Sequence, residues 1–313
     1  MTNIAIQTEG VTKRYSNGVL ALDNLWMKVE RGDVVGYLGP NGAGKTTTME
    51  ILTSIIKPTS GRAYINSIDV VKRPKEALRH VGALIEVPGI YEYLTPVESL
   101  TYSGKIYGMN ASNIKKRIKE VMEKVSLSDW CNKKVGSFST GMLRRFNLAR
   151  AMLHDPEILI LDEPVIGLDP KGMQDVRNII KELQKEGKTI LLSSHLLGEV
   201  SETCNKIIFI AAGKVVKQGP IDDIKKEAIV NRIVVNFLDA ISSERASIIK
   251  KVPHVTGFEF NGAQGTIEFD GGYSECSKIL KKLVADDINI VSFTPQVGSL
   301  EDMYISLVGG SVR

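Results

Sequence analysis

The chain has 313 residues, of which 43% are hydrophobic and 24% are charged, and its formal net charge is +4. This composition is typical of a globular protein with one large or two medium domains, and it excludes disordered, collagen-like and disulfide-framework chains. No apolar run approaches the roughly 20 residues that span a bilayer. Residues 1–10, MTNIAIQTEG, lack a basic and apolar signal segment. We therefore expect a cytosolic protein that reaches a membrane only through a partner.

The positive charges are scattered along the chain rather than gathered into basic blocks, which neither requires nor excludes a nucleic-acid partner; we expect none. The cysteines, Cys131, Cys204 and Cys276, lie far apart and form no CxxC or Cys/His cluster. This spacing predicts reduced thiols that pack as small hydrophobic groups, and it predicts no structural zinc.

Predicted strands and helices alternate through the N-terminal part of the chain. In order they are strand 33–38, helix 44–56, helix 141–153, strand 158–161, helix 173–186 and strand 189–193. This alternation indicates a parallel α/β sheet with helices on both faces. Residues 206–218 alternate apolar and polar side chains around Ala212-Gly213, which predicts a hairpin at the edge of the sheet.

The pattern changes after Gly219-Pro220, and a second set of elements is predicted beyond it. These elements are strand 230–237, helix 240–251, strands 255–260 and 266–269, helix 274–285 and strand 288–293. The order β-α-β-β-α-β is typical of a ferredoxin-like module. We therefore predict two domains, residues 1–222 and residues 229–313.

Residues 39–46, GPNGAGKT, lie between a predicted strand and a predicted helix and satisfy the pattern GxxxxGK(S/T). Glycines allow the backbone to wrap a phosphate group, and the N–H groups that open a helix attract anions. The Lys45 side chain supplies a cation for the outer phosphates, and the Thr46 hydroxyl suits Mg²⁺. The candidate phosphate-binding residues are Gly39, Pro40, Asn41, Gly42, Ala43, Gly44, Lys45, Thr46 and Thr47.

Residues 158–163, ILILDE, form a short apolar run that ends in two carboxylates. The run predicts a buried parallel strand, and ligands bind at the carboxyl ends of such strands. We predict that Asp162 belongs to the Mg²⁺ shell, together with Thr46. Glu163 is predicted to orient and deprotonate the water that attacks the phosphate.

Further segments are similar to the motifs of one family. Residues 137–142, SFSTGM, precede a predicted helix and are similar to the LSGGQ signature, and residues 166–169, IGLD, are similar to the D-loop. His195 ends a predicted strand, as the switch histidine of that family does, and Tyr15 matches its adenine-stacking aromatic residue. Over about residues 3–220, the chain resembles the ATP-binding subunits of ABC transporters.

The resemblance implies a phosphate-loop NTPase domain of the α/β class, with a mixed sheet and a helical signature subdomain. It implies that the protein binds ATP and Mg²⁺ and hydrolyses ATP. In this family His195 would contact the γ-phosphate beside the catalytic Glu163, and Tyr15 would stack on adenine. Ser139 and Gly141 would contact the γ-phosphate that the opposite subunit binds.

The chain departs from the family pattern at several positions. Glu86 stands where the family has the glutamine of the Q-loop, and a carboxylate can coordinate Mg²⁺ but cannot donate a hydrogen bond as an amide does. We predict that Glu86 is a metal-shell residue and a sensor of the membrane partner. Thr140 and Met142 replace the usual Gly and Gln of the signature, and the D-loop contains Val165 and Ile166.

Two segments resemble one branch of the family, the exporters of drugs and peptide antibiotics. They are residues 91–100, YEYLTPVESL, and residues 299–304, SLEDMY. The predicted function is therefore that of the ATPase subunit of an ABC exporter. Residues 89–107 are predicted to form the docking surface for its membrane subunit.

A single phosphate loop and a single signature loop in the chain imply, in this family, that two copies pair head to tail as a homodimer. A separate transmembrane permease would convert closure of the dimer into transport. The predicted location is therefore cytoplasmic and peripheral, on the inner face of the cell membrane.

Two other classes stay open at this point. A soluble ABC ATPase acting in translation or repair is one, although soluble translation factors usually fuse two ATPase halves; cell fractionation separates it from a transporter subunit. A regulatory nucleotide-binding module that does not hydrolyse ATP is the other, although Asp162, Glu163 and His195 argue against it. A steady-state ATPase assay tests that class.

Overall fold

The computed structural model describes residues 3–85, 89, 91–227 and 232–296. The chain divides into two compact units, Met1–Pro220 and Ile221–Arg313. The predicted limits of 222 and 229 differ from this division because the helix Ile221–Glu227 groups with the second unit. Among the described residues, no helix is long and apolar enough to cross a membrane.

The first unit contains two sheets and seven α-helices among its described residues. Its strands are β1 Ile4–Arg14, β2 Leu20–Glu30, β3 Val34–Leu38, β4 Ser60–Ile65, β5 Ile68–Asp69, β6 Val81–Leu84, β7 Ile158–Leu161, β8 Thr189–Ser194, β9 Lys206–Ala211 and β10 Lys214–Pro220. Its helices are α1 Lys45–Leu52, α2 Pro74–Leu78, α3 Pro96–Ile106, α4 Ala111–Lys124, α5 Thr140–Met152, α6 Pro170–Lys185 and α7 Leu197–Thr203.

The larger sheet has the order β10-β9-β3-β8-β7-β6. Its strands are parallel from β6 to β9, and β10 pairs antiparallel with β9. Strands β3 and β7 are buried along their whole length, which explains their uninterrupted apolar sequence. The predicted parallel sheet and its edge hairpin are therefore confirmed.

The smaller sheet has the order β2-β1-β4-β5 and is antiparallel. Its inward side chains, together with those of α1 and of the larger sheet, form one hydrophobic core. Fully buried members of this core include Leu22, Met27, Tyr37, Met49 and Ile160. The core holds β3 and α1 in place, and the phosphate loop connects them.

Helix α1 ends at Leu52 rather than at residue 56, where the sequence places its end. Ser54 has a φ of 57°, a left-handed conformation that a helix cannot continue through. Helix α6 begins at Pro170 rather than at residue 173, because the Asp169 side chain caps it by accepting a hydrogen bond of 3.0 Å from the Gly172 N–H.

The second unit opens with α8 Ile221–Glu227. The elements that follow are β11 Arg232–Phe237, α9 Ser243–Lys250, β12 Val255–Asn261, β13 Gln264–Phe269, α10 Tyr273–Ala285 and β14 Ile290–Gln296. From β11 onward the order is the predicted β-α-β-β-α-β, and the antiparallel sheet has the order β12-β13-β11-β14. The unit has its own apolar core, which includes Ile233, Ile249, Ile279 and Leu283. Its description as ferredoxin-like stays a prediction.

Candidate active site

The phosphate loop leaves β3 and enters α1, and it is packed too tightly for side chains at two of its glycines. Gly44 has a φ of 105°, and a Cβ there would lie 2.6 Å from the Ala21 carbonyl oxygen. A Cβ on Gly39 would lie 2.4 Å from the Ile210 carbonyl oxygen. The loop backbone is therefore pressed against β2 and β9, and only glycine fits both positions.

Lys45 folds back onto its own loop. Its Nζ donates hydrogen bonds to the carbonyl oxygens of Gly39 at 2.7 Å and of Pro40 at 3.2 Å. Burial lowers the pKa of Lys45, and the nearby charges of Glu163 and Asp162 oppose that shift. The loop thus holds a cation whose present acceptors, neutral carbonyl oxygens, are weaker than a phosphate oxygen.

The Asp162 carboxylate accepts hydrogen bonds from two hydroxyl groups. Thr46 Oγ1 donates to Oδ2 at 2.8 Å, and Ser193 Oγ donates to Oδ1 at 2.5 Å. A hydroxyl and a carboxylate in contact are the oxygen donors that Mg²⁺ prefers. The described residues contain no group of three or more His, Cys, Asp or Glu side chains that could hold a metal alone. This donor set fits a Mg²⁺ that keeps water and phosphate ligands.

Glu163 is held at both of its backbone polar groups and at its side chain. Its N–H donates to Ser193 Oγ at 2.8 Å, and its carbonyl oxygen accepts from Arg144 Nη2 at 2.7 Å. Its Oε2 lies 3.0 Å from Nδ1 of His195, which follows β8. The residue has a φ of 46°, which is unusual for a side chain other than glycine and is common at functional sites.

Tyr15 lies beside the loop: its hydroxyl is 3.2 Å from the Thr47 hydroxyl, and Lys13 Nζ lies 5.2 Å from the centre of its ring. Tyr15 does not line the cleft that contains the phosphate loop. Val19, Leu20 and Ala21 line that cleft instead. The stacking of Tyr15 on adenine stays a prediction.

One cleft of about 590 Å³ contains the phosphate loop, both carboxylates and His195. The candidate residues that line it are Asn41, Gly42, Gly44, Lys45, Thr46, Thr47, Asp162, Glu163 and His195, whereas Gly39, Pro40 and Ala43 do not. The complete lining is Val19, Leu20, Ala21, Asn41, Gly42, Gly44, Lys45, Thr46, Thr47, Asp162, Glu163, Ile166 and His195. We call it the phosphate-loop cleft.

Ser139 and Gly141 lie in a different cleft, of about 420 Å³, which also contains residues of the D-loop. Its lining is Ser139, Thr140, Gly141, Met142, Arg145, Gly167, Leu168, Asp169, Lys171, Gly172 and Asp175. The Ser139 side chain caps α5 and accepts from the Met142 N–H at 3.3 Å. We call this the signature cleft. Within the described part of the chain, the two clefts share no lining residue.

Several predicted positions lie outside the described residues. They include Glu86 and the segment 299–304, so their roles stay predictions. Two residues of the site were missed from the sequence. Ser193 could have been found because it lies at the carboxyl end of β8, the strand beside β7, where polar groups of a parallel sheet collect. Arg144 carries no local signal, since arginines on a helix are usually solvated.

Comparisons with known proteins agree with this geometry. A family model described as "ABC transporter" matches residues 22–166, and one described as "AAA domain, putative AbiEii toxin, Type IV TA system" matches residues 134–201. The chain is 39% identical over 307 residues to the bacitracin transport ATP-binding protein BcrA of Bacillus licheniformis, with 97% of each chain covered. It is 29% identical to the linearmycin resistance ATP-binding protein LnrL of Bacillus subtilis (strain 168), over 98% of this chain and 99% of LnrL.

A solved structure is similar as well. It is described as the dimeric structure of a post-hydrolysis state of the ATP-binding cassette MJ0796 bound to ADP and Pi. It matches with a TM-score of 0.63 and 26% identity, over 69% of this chain and 98% of that one. The chain therefore belongs to the family of ABC transporter ATP-binding proteins and is an ATPase of that family. The predicted resemblance to the branch of drug and peptide-antibiotic exporters is confirmed.

Proposed function

We propose that the phosphate-loop cleft binds ATP with Mg²⁺ and that Glu163 is the general base of its hydrolysis. One observation carries this proposal: a single hydrogen-bonded network joins Thr46, Asp162, Glu163 and His195 of this cleft through the buried Ser193. Such a network places a metal-binding carboxylate directly beside a carboxylate that can accept a proton, which is the arrangement that phosphoryl transfer to water needs.

Each residue has one task in this mechanism. Lys45 exchanges the carbonyl oxygens of its loop for the outer phosphate oxygens. Thr46 and Asp162 would hold the Mg²⁺, which would neutralise phosphate charge. Glu163 accepts a proton from the attacking water at Oε1 or Oε2. His195 holds the Glu163 carboxylate through Nδ1, which leaves the far side of its ring for the γ-phosphate.

The signature cleft completes the site in a second copy of the chain. The two clefts share no described lining residue, and in ABC ATPases the signature loop contacts the nucleotide of the opposite subunit. Ser139 and Gly141 would therefore contact a phosphate across a dimer interface. A symmetric pair closes this arrangement with two equivalent sites. ATP then acts as the link between subunits, and loss of the γ-phosphate opens the dimer.

The Glu163→Gln variant tests both proposals. Glutamine keeps the shape of the side chain but cannot accept the proton, so hydrolysis falls by about a hundredfold or more. Uncleaved ATP then accumulates, and light scattering with Mg²⁺ and ATP finds a stable dimer, whereas wild type returns to monomer as it consumes ATP. Wild-type turnover by Glu163→Gln would contradict the role of Glu163. A variant that stays monomeric with saturating ATP would contradict the shared site.

We further propose that the dimer drives a separate membrane permease that exports drugs or peptide antibiotics, and that it lies on the cytoplasmic face of the membrane. Residues 89–107 would dock the permease. Tyr91, Tyr93 and Tyr102 in this segment are 53%, 66% and 55% exposed and pack on one another, with ring centres 5.7 Å and 6.5 Å from Tyr91. Such exposed aromatic clusters are typical of interaction sites.

This proposal can be tested in cells that express the chain together with a candidate permease. The candidate is a protein that is encoded beside the chain and has about six apolar spans. Expression should raise resistance to bacitracin-like peptides, and Glu163→Gln should abolish the gain. Replacement of the three tyrosines by serine should release the ATPase from the membrane fraction while its basal hydrolysis stays at the wild-type rate. Membrane association that survives this change would show that the docking segment is wrong.

A further inference from the structure

Arg144 lies on α5, the helix that the signature residues open, yet its side chain reaches the backbone of Glu163 in its own subunit. Its Nη2 donates a hydrogen bond of 2.7 Å to the Glu163 carbonyl oxygen. The side chain is partly buried, and it is not among the residues that line the phosphate-loop cleft. Arg144 therefore contacts Glu163 on the side that faces away from the phosphate-loop cleft, where the phosphates would bind.

We propose that Arg144 is a positioning residue that holds the Glu163 backbone and thereby ties α5 to the catalytic loop of the same subunit. This inference rests on the proposed role of Glu163 as general base. It goes beyond that role because it assigns the placement of the base to a residue of the signature helix.

The Glu163 backbone needs such support because its conformation is unfavourable. A φ of 46° on a side chain with a Cβ persists only where the surroundings hold it. Ser193 holds the N–H, while Arg144 and the Ile166 N–H, at 3.2 Å, hold the carbonyl oxygen. Without Arg144 the carbonyl keeps one neutral partner, and the peptide can relax toward a common conformation. The carboxylate would then turn away from His195.

The charge of Arg144 strengthens this contact. Burial lowers the pKa of Arg144, and the charges of Asp162 and Glu163 oppose the shift, so the two carboxylates lie close enough to act on the guanidinium. An arginine stays protonated in proteins. A hydrogen bond from a charged donor is roughly twice as strong as a neutral one.

The position of Arg144 links the two clefts of one subunit. Ser139 and Gly141 open α5, and Arg144 follows them within about two helical turns. A movement of this end of the helix, when the signature residues meet the partner's nucleotide, therefore reaches the Glu163 carbonyl oxygen through one hydrogen bond. Closure at one site would align the base of the other.

Steady-state ATPase assays of the full-length protein test the proposal with three variants. Arg144→Met removes the donor and keeps the bulk, and Arg144→Lys keeps one donor. Arg150→Met is the matched control, because Arg150 lies on the same helix and contacts Asn147 at 3.2 Å, away from the cleft. Glu163→Gln is assayed beside them, and the thermal melting of every variant is recorded.

We expect Arg144→Met to lower kcat by about tenfold, with the KM for ATP within about twofold of wild type, since only the placement of the base changes. Arg144→Lys should recover part of the lost rate, and Arg150→Met should keep the wild-type kcat. A wild-type kcat in Arg144→Met, or equal losses in Arg144→Met and Arg150→Met, would overturn the inference. Wild-type hydrolysis by Glu163→Gln would instead overturn the proposed function, so the two failures can be told apart.

Discussion

The phosphate-loop cleft and the signature cleft differ in how far one chain completes them. In the first, Thr46, Asp162 and Glu163 have hydrogen-bond partners from distant parts of the sequence, and Lys45 donates to carbonyl oxygens of its own loop. In the second, the Ser139 side chain accepts from the Met142 N–H of its own helix, and the Asp169 side chain caps the start of α6 in the same way. The first cleft is organised within one subunit. The second presents capped helix N-termini that are available to a ligand bound by another subunit.

Under the proposed shared site, this difference would let one chain bind ATP while two chains are needed to hydrolyse it. The proposed nucleotide-binding groups belong to one chain, and Lys45 and Asp162 among them are buried. Assembly needs groups that stay accessible until the nucleotide arrives. The predictions below test this division.

Lys45→Ala should give the largest effect, because it removes the cation of the preorganised cleft. We expect the Kd for ATP to rise by about a hundredfold, as for the loss of a buried charge-assisted contact with phosphate. Titration of the monomer with a fluorescent ATP analogue measures this. An unchanged Kd would place the phosphates elsewhere.

Gly141→Val should act on the other cleft alone. A Cβ at Gly141 would meet only Leu168, at 3.8 Å, so the fold accommodates it, but the branched side chain covers the helix end that would meet the phosphate. In the Glu163→Gln background we expect about tenfold weaker ATP-driven dimerisation and an unchanged monomer affinity for ATP. A loss of monomer affinity would contradict the separation of the two clefts.

Ser193→Ala sharpens the comparison within the first cleft. The change removes the donor to Asp162 and the acceptor of the Glu163 N–H, so we expect kcat to fall by about tenfold. The concentration of Mg²⁺ needed for half-maximal activity should rise as well. Ser194→Ala is the control, because Ser194 bonds to Leu196 and not to the carboxylates.

A further effect concerns stability and lies outside both clefts. The His154 ring stacks on Tyr107 at 3.8 Å, and burial lowers the pKa of His154 to about 4. Between this pKa and the ordinary value of 6.5, the unfolded chain binds a proton on His154 that the folded chain does not bind. The free energy of unfolding should therefore fall as the pH drops from about 6.5 to about 4. His154→Phe should remove up to about 3 kcal/mol of that fall. Denaturant unfolding at pH 7.5 and 5 measures the free energy of unfolding of wild type and of His154→Phe. An equal decrease between the two pH values in both proteins would contradict this prediction.

Local sequence patterns were enough to predict the larger sheet, the phosphate loop and the carboxylates after β7. They predicted these features because each depends on neighbouring residues: an apolar run, a glycine-rich turn, a helix start. The antiparallel sheet of β1, β2, β4 and β5 was not predicted. Register shifts interrupt the pairing of β1 with β2 and with β4, so the alternation of their side chains is irregular.

Helix ends were predicted less well than helix existence. The end of α1 depends on the left-handed conformation of Ser54, whose hydroxyl donates to the Val70 carbonyl oxygen at 2.8 Å. That contact joins distant segments, and no pattern around residue 54 reports it. The start of α6 differs, because the Asp-Pro pair that caps it is visible in the sequence.

The sequence alone determined which chemical groups the site would contain, since glycines, a lysine and paired carboxylates at fixed spacings carry their chemistry with them. Only the tertiary structure decided which other groups hold them. Strands β7 and β8 pair in parallel with Leu161 opposite Leu192, so Asp162 and Ser193 meet where both strands end. Helix packing brings Arg144 to Glu163. These contacts depend on strand order and helix placement, which emerge from burial of the whole core.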